Sequence, residues 1–279
     1  KSASHINHIL DIFKSIVKCE DTLFDLSPEY DKWISFRNGI YNLDTNEFRP
    51  RNISDRFTLA LNWDYKEIYC KSCFDDINLF FKKIQPNEEQ RTFTVSFLKY
   101  CLKGGNPQRL YKMNIGYSAA NGKSTEMDMH EAVFPIYTYE LHNTFFSKMC
   151  TMRHKYGAKL VESPIRLAYI NELDESKLDE DFFKKFGDCK NIQFQKMYDT
   201  MNDSRIQAKL ITTSNQDPNM KFDGGTIRRT LIQRYESQFV NKKLVDDSKH
   251  RYLMNTTWVE DRFTQDKYKL AYFHYLLSQ

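Results

Sequence analysis

Four short runs between positions 114 and 236 of the 279-residue chain carry side chains suited to chemistry on a phosphate. The first, NIGYSAANGKST at 114–125, contains Gly122-Lys123-Ser124, the core of a phosphate loop of form G-x-x-x-x-G-K-[ST]. In such a loop the glycine lets the backbone approach the phosphates, the lysine ammonium reaches the β- and γ-phosphates, and the serine hydroxyl faces Mg²⁺. The expected nucleotide contacts are Gly116, Ala120, Asn121, Gly122, Lys123, Ser124 and Thr125, with Ser124 also a metal ligand. One feature departs from the pattern: Tyr117 stands where the first glycine belongs, and Gly116 is one residue upstream.

The second run, IRLAYINELDES, is apolar and then acidic. Glu172 is the expected base or water-orienting group, and Asp174 a possible second contact to Mg²⁺. The third, KLITTSNQDPNM, ends its apolar stretch at Ser214-Asn215, where the Asn215 amide can bond a γ-phosphate or the attacking water. In the fourth, GGTIRRTLIQRYE, Arg228 and Arg229 are candidates for a guanidinium that completes a neighbouring subunit's site. Read singly, each has a plainer alternative: an acidic helix start, a strand-ending turn residue, a basic surface pair. Their order, with spacings of about 50 and 43 residues from the loop to the acid and from the acid to the amide, gives them weight together.

These groups need elements to position them. RLYKMNIGY alternates apolar and polar residues as a strand does, and STEMDMHEAV has few helix breakers, so strand, loop and helix follow in the required order. Acids at the carboxyl end of a parallel strand share a sheet edge with the phosphate loop, where open α/β sheets bind ligands. Alternating strand-like and helix-like segments over 107–240 predict an α/β ATPase with a mainly parallel sheet. Before it, residues 1–106 read as a mostly helical collar. They comprise an amphipathic opening helix in which Ile6, Ile9 and Leu10 recur, two short strand runs in WISFRNGIYNLDTNEFRP, and two helices split at Pro86 and ended by Gly104-Gly105. Residues 241–279 read as a helical tail.

Composition excludes less than the motifs assign. A hydrophobic content of 41% supports a full core, and a net charge of +4 permits an anionic partner without demanding one. The six cysteines fit reduced thiols inside a cell, and Cys70-x-x-Cys73 lacks a second Cys or His pair at zinc-site spacing. No apolar run approaches the roughly 20 residues that span a bilayer. The chain starts at Lys1, which fits a fragment of a longer protein.

Taken in order, NGKST, LAYINELDE, KLITTSNQDPNM and TIRRTLIQRY resemble the four motifs of superfamily 3 helicases, especially the poxvirus- and asfarvirus-type primase-helicases of large nucleocytoplasmic DNA viruses. FRNGIYNLDTNEFRP is similar to the collar that precedes the motor in that family. The resemblance implies an AAA+-like fold and an ATP- and Mg²⁺-dependent DNA helicase acting as a homo-oligomer, a hexameric ring, at replication forks in the host cytoplasm. It also implies a primase portion in the same polypeptide. Its catalytic set would be Lys123, Glu172, Asn215 and Arg228 or Arg229. The stretch FFKKFGDCKNIQFQKMYDT looks like the family's channel hairpin, which implies single-stranded DNA contacts at Lys184, Lys185, Lys190, Phe194, Lys196 and Tyr198. The plainer alternative is an exposed hairpin with solubilising lysines. At the level of function, the rivals are a packaging or assembly ATPase that does not unwind DNA, and an idle nucleotide-binding module.

Overall fold

The computed structural model describes residues 24–174, 178–189, 192–194, 203–217 and 224–278, together with residues 5, 6, 9 and 12. The chain is α/β, built around one five-stranded parallel sheet.

Near the N-terminus, residues 5, 6, 9 and 12 are helical, as the periodicity predicts. Ile6 and Ile9 are each 54% exposed, however, so these two side chains are not buried as expected. Where the sequence predicts two strand runs, three strands form an antiparallel meander: β1 (Trp33–Phe36), β2 (Gly39–Asn42) and β3 (Glu47–Arg49). Gly39 opens β2 because a Cβ there would lie 2.5 Å from the Arg49 carbonyl oxygen. Next come α1 (Lys71–Ile84) and α2 (Glu88–Cys101), interrupted at Pro86. Asn87 restarts the second helix by accepting the Gln90 amide at 3.0 Å.

The sheet contains β4 (Tyr111–Ile115), β5 (Thr138–Glu140), β6 (Leu167–Ile170), β9 (Lys209–Ser214) and β10 (Thr230–Arg234), in the spatial order β10-β4-β9-β6-β5. Every pairing is parallel, which places the carboxyl ends of all five strands along one edge. Helix α3 (Lys123–Val133) follows β4, α4 (Arg153–Glu162) precedes β6, and α5 (Glu180–Gly187) lies between β6 and β9. Between α5 and β9, the two-residue strands β7 (Ile192–Gln193) and β8 (Asp203–Ser204) pair antiparallel. A six-residue helix, α6 (Gly224–Arg229), runs directly into β10. After it come β11 (Gln238–Val240) and β12 (Arg251–Leu253), paired parallel, and then α7 (Trp258–Phe263) and α8 (Asp266–Leu277).

The period-2 alternation of β4 divides the interior. Tyr111 and Met113 join a core with Phe145, Phe146, Phe183 and Leu210 on one face of the sheet. On the other, a larger core unites Trp63 and Phe81 with Met127, Phe134, Tyr272 and Phe273. This core crosses positions 106 and 240: α8 packs on α1, α2 and α3. The 1%-exposed Arg166 ties the layers further, donating to the backbone oxygens of Leu102 (2.6 Å), Trp33 (2.7 Å) and Tyr30 (3.1 Å). Those three carbonyls satisfy most of a buried guanidinium that would otherwise be costly to desolvate. Among the described residues no helix is long and apolar enough to cross a membrane.

Candidate functional site

The loop after β4 turns on two close approaches. A Cβ on Gly116 would lie 2.0 Å from Asn121 Nδ2 and 2.9 Å from Lys123 Nζ, so a side chain at 116 would displace both. Gly122, at φ +89°, is in the left-handed region, and a Cβ there would meet Ile84 at 2.4 Å. The shifted first glycine therefore has a steric role where it stands. The Tyr117 side chain, 63% exposed, turns away: its hydroxyl donates to Asp217 at 2.6 Å and accepts from Arg234, which pairs with Asp217 at 3.1 Å. Ala120, at φ +57°, offers its carbonyl to the Phe239 amide at 2.7 Å, and the buried Asn121 closes the loop through Ser118 O at 2.7 Å.

Lys123 is the first residue of α3, with Gly122 as its N-cap and no side chain capping the first turn. Such a helix start leaves backbone N–H groups to meet an anion. The Lys123 side chain folds back over the loop, its ammonium donating to Gly116 O and to Asn215 Oδ1, both at 3.1 Å. The residue is only 5% exposed, and burial brings its pKa down to about 8 against the opposing pull of Glu172. Asn215, just past β9, donates through Nδ2 to Glu172 Oε1 at 3.0 Å. Glu172 follows β6 in a left-handed turn at φ +56°, with its amide bonded to Thr213 Oγ1 at 3.1 Å. Because β4, β9 and β6 are adjacent in that order, the loop lysine, the amide and the acid come into one line along the sheet edge. Ser124 is exposed beside them, and Thr125 lines the cleft described below.

Other predicted residues separate from this group. Asp174 leans toward the β5 side, its amide bonded to Asn143 O at 3.2 Å, and lines a separate cleft with Thr144, Cys150 and Tyr156. Arg229 is committed within its own chain to Asp188, with Nε to Oδ1 at 3.0 Å, and its side chain is only 11% exposed. That pairing occupies the Arg229 guanidinium within its own chain and counts against its candidacy; Arg228, on the same short helix, is exposed. Phe194 is also corrected. It is 3% exposed and lodges over Gly157, where a Cβ would lie 2.1 Å from its ring, so it is a core ring and not a stacking surface for bases. The β7–β8 pairing matches the hairpin expectation at its base. Lys184 and Lys185 lie on α5, while Lys190, Lys196 and Tyr198 fall outside the described residues.

Sequence reading missed the other wall of the site. A cleft of about 420 Å³ runs from Ala120, Gly122 and Thr125 to Leu79 and Phe80 of α1, Phe239 of β11, and Trp258 and Arg262 of α7. Trp258 stacks on Phe80 with ring centroids 4.4 Å apart. Arg262 lies over the indole at 5.0 Å and is fixed by Asp76 at 2.9 Å. The volume and the mix of apolar walls with a few fixed polar groups fit a small organic ligand. Apart from the loop and Phe239, these walls come from the segments read as collar and tail, and no local motif marks them. The donor set also fits a nucleotide: a backbone cradle with no room for side chains, a desolvated ammonium, and an adjoining aromatic cleft. Among the described residues no cluster of three or more His, Cys, Asp or Glu could hold a metal.

Residues 1–89 match the family model described as D5 N terminal like. A mimivirus protein named as a helicase, L207/L206 of Acanthamoeba polyphaga mimivirus, is 29% identical over 81% of this chain and 24% of its own length. Primase D5 of fowlpox virus is 24% identical over 93% of this chain and 34% of its own length. The chain thus spans about a quarter to a third of these relatives. Among solved structures, the apo C-terminal region of NrS-1 superposes with a TM-score of 0.57, covering 97% of this chain and 60% of that one, at 10% identity, a likeness of fold alone. With a D5-like N-terminal segment and matches to proteins named as a helicase and a primase, the chain is similar over most of its length to replication proteins of large DNA viruses.

Proposed function

We propose that this chain is the ATP-hydrolysing motor of a superfamily 3 DNA helicase, the C-terminal part of a primase-helicase of the asfarvirus type, working on single-stranded DNA at replication forks in the host cytoplasm. The observation that carries this reading is the line Lys123–Asn215–Glu172 at the carboxyl edge of a parallel sheet, beside an uncapped helix N-terminus.

In this reading ATP enters the cleft with its phosphates at the first turn of α3. Lys123 exchanges its bond to Gly116 O for the β- and γ-phosphate oxygens. Asn215 can then report the state of the γ-phosphate to Glu172, because its amide already bonds both neighbours. Glu172, exposed at its strand end, orients the attacking water and takes its proton. Bound Mg²⁺, with Ser124 among its ligands, would neutralise charge on the phosphates. Arg228 of one subunit would serve the pocket of the next in a hexameric ring, and lysines of the α5–hairpin region would follow the DNA backbone.

The test is unwinding of a forked duplex with ATP, with light scattering for oligomer mass and ATP hydrolysis measured with and without single-stranded DNA. Unwinding by a ring with DNA-stimulated hydrolysis supports the proposal. Hydrolysis indifferent to DNA, without strand separation, would instead identify a packaging or assembly ATPase.

A further inference from the structure

The pair Cys70-Lys71-Ser72-Cys73 takes no part in the site above, and its geometry is specific. Cys70 is the N-cap of the fourteen-residue helix α1, its sulfur accepting the Cys73 amide at 3.4 Å. The Cys73 thiol donates to the same sulfur across 2.7 Å, and Ser72 Oγ lies 3.3 Å from it. Cys70 is partly exposed, whereas Cys73 is 2% exposed and belongs to the core. One sulfur thus meets solvent, and the other stands behind it, aimed at it.

We propose that Cys70 and Cys73 are a reversible peroxide-oxidised dithiol site, with Cys70 the attacking sulfur and Cys73 the resolving one. The Cys70 thiolate attacks one oxygen of a hydroperoxide, breaking the O–O bond. With hydrogen peroxide this yields Cys70–SOH and hydroxide, which takes up a proton as water. Cys73 sulfur then attacks Cys70 sulfur; the S–O bond breaks, the Cys73 proton leaves with the hydroxide as a second water, and the disulfide remains. The two thiols lose two electrons and the peroxide gains them. A small dithiol restores the pair by exchange.

The helix start favours this order of events. Donors from Cys73 and Ser72 bring the Cys70 thiol down to about 7, while burial first, and then the bond to Cys70, push Cys73 up to about 11. Closing to a bond of about 2.04 Å needs under about 1 Å of approach between the sulfurs. Burial also pushes the Cys101 thiol up to about 12 and that of Cys189 to about 11, so neither competes as a thiolate. Among the described residues no third His, Cys, Asp or Glu joins the pair in a metal-binding group. The same helix carries Leu79 and Phe80 to the cleft, so oxidation would act on an element of the candidate site.

The experiment treats the whole chain with graded hydrogen peroxide, alkylates the remaining thiols and maps the peptides by mass. The expected result is loss of two hydrogens from the peptide bearing Cys70 and Cys73, reversed by dithiothreitol, at doses that leave Cys101 and Cys189 alkylatable. Cys73→Ser should divert the product to a dimedone-trappable sulfenic acid at Cys70, and Cys70→Ser should leave Cys73 unoxidised at the same dose. If both thiols of the unmutated chain stay alkylatable, or Cys70 oxidises onward without joining Cys73, Cys70 is a helix cap only and the proposal fails. Mapping the unmutated chain decides this even if a variant misfolds.

Discussion

Lys123 Nζ donates to Asn215 Oδ1 across 3.1 Å, joining a residue that begins a helix to one 92 positions later that follows the last residue of a strand. The same amide holds Glu172, so the three groups proposed as phosphate contact, sensor and acid are already linked to one another. A change at one should be felt at the others.

Removing the ammonium tests the loop directly. Lys123→Ala is expected to lower ATP hydrolysis by at least about 100-fold, the scale of losing charge-assisted bonds at a reacting phosphate, with Tm shifted by no more than about 3 °C. Gly116→Ala should weaken binding of a fluorescent ATP analogue, because its Cβ would lie 2.0 Å from Asn121 Nδ2. Tyr117→Ala, at an exposed side chain, should leave binding within about threefold. Anisotropy titration separates the two, and equal losses would count against the loop geometry.

Glu172→Gln should keep ATP binding and lose turnover, since an amide preserves the shape but cannot take a proton from water. Asp174→Asn, in its separate cleft, should be mild. Single-turnover hydrolysis of both variants decides the carboxylate, and the reverse order of severity would move the base to Asp174.

Nucleotide affinity should depend on pH through Lys123, whose ammonium loses its proton at about 8 in the free protein. Affinity should be flat below about pH 7 and fall up to tenfold per pH unit above about 8, until the bound-state pKa is reached. Stability moves the other way. The folded pKa is about 8 and the ordinary value 10.5, so between them the unfolded chain binds the extra proton and this group's contribution to stability rises with pH. Isothermal titration from pH 6.5 to 9.5, with Lys123→Arg as the flat control, checks the first effect.

A buried ion pair holds the strand and helix that flank the loop. Lys112 Nζ of β4 lies 3.6 Å from Glu126 Oε1 of α3, both side chains are fully buried, and Tyr235 donates to the same carboxylate. Burial lowers the Lys112 pKa. Glu126→Ala should cost about 3–5 kcal/mol by stranding Lys112, whereas Lys112→Met with Glu126→Gln should recover most of it. Urea unfolding measures both; a double variant no better than the single would mean that the charges themselves are needed.

Arg228 is exposed, whereas Arg229 is held by Asp188, so only Arg228→Ala is expected to act in trans. Mixing Lys123→Ala subunits with Arg228→Ala subunits should restore hydrolysis that neither parent has, wherever an intact pocket faces an intact arginine. Sizing confirms that mixed rings form. Inactive mixed rings would assign Arg228 another role.

The pieces that depend on local chemistry were legible along the chain. Strand, glycine loop and helix at 111–133 could be read because a phosphate loop needs particular residue types at fixed offsets, and the α/β class follows from alternating patterns that each report one element. The break at Pro86 and the acid-ended strand at 167–172 are equally local. Tertiary structure decided whatever depends on which strands become neighbours. The order β10-β4-β9-β6-β5 sets Asn215 between Lys123 and Glu172, and no spacing along the chain encodes that lateral adjacency. It also sent Phe194 into the core and Arg229 to Asp188, although both lie in stretches whose composition fits exposed binding residues equally well. Finally, it brought Phe80 and Trp258, 178 positions apart, face to face beside the loop, because burying α8 against α1 gained more apolar contact than leaving a free tail.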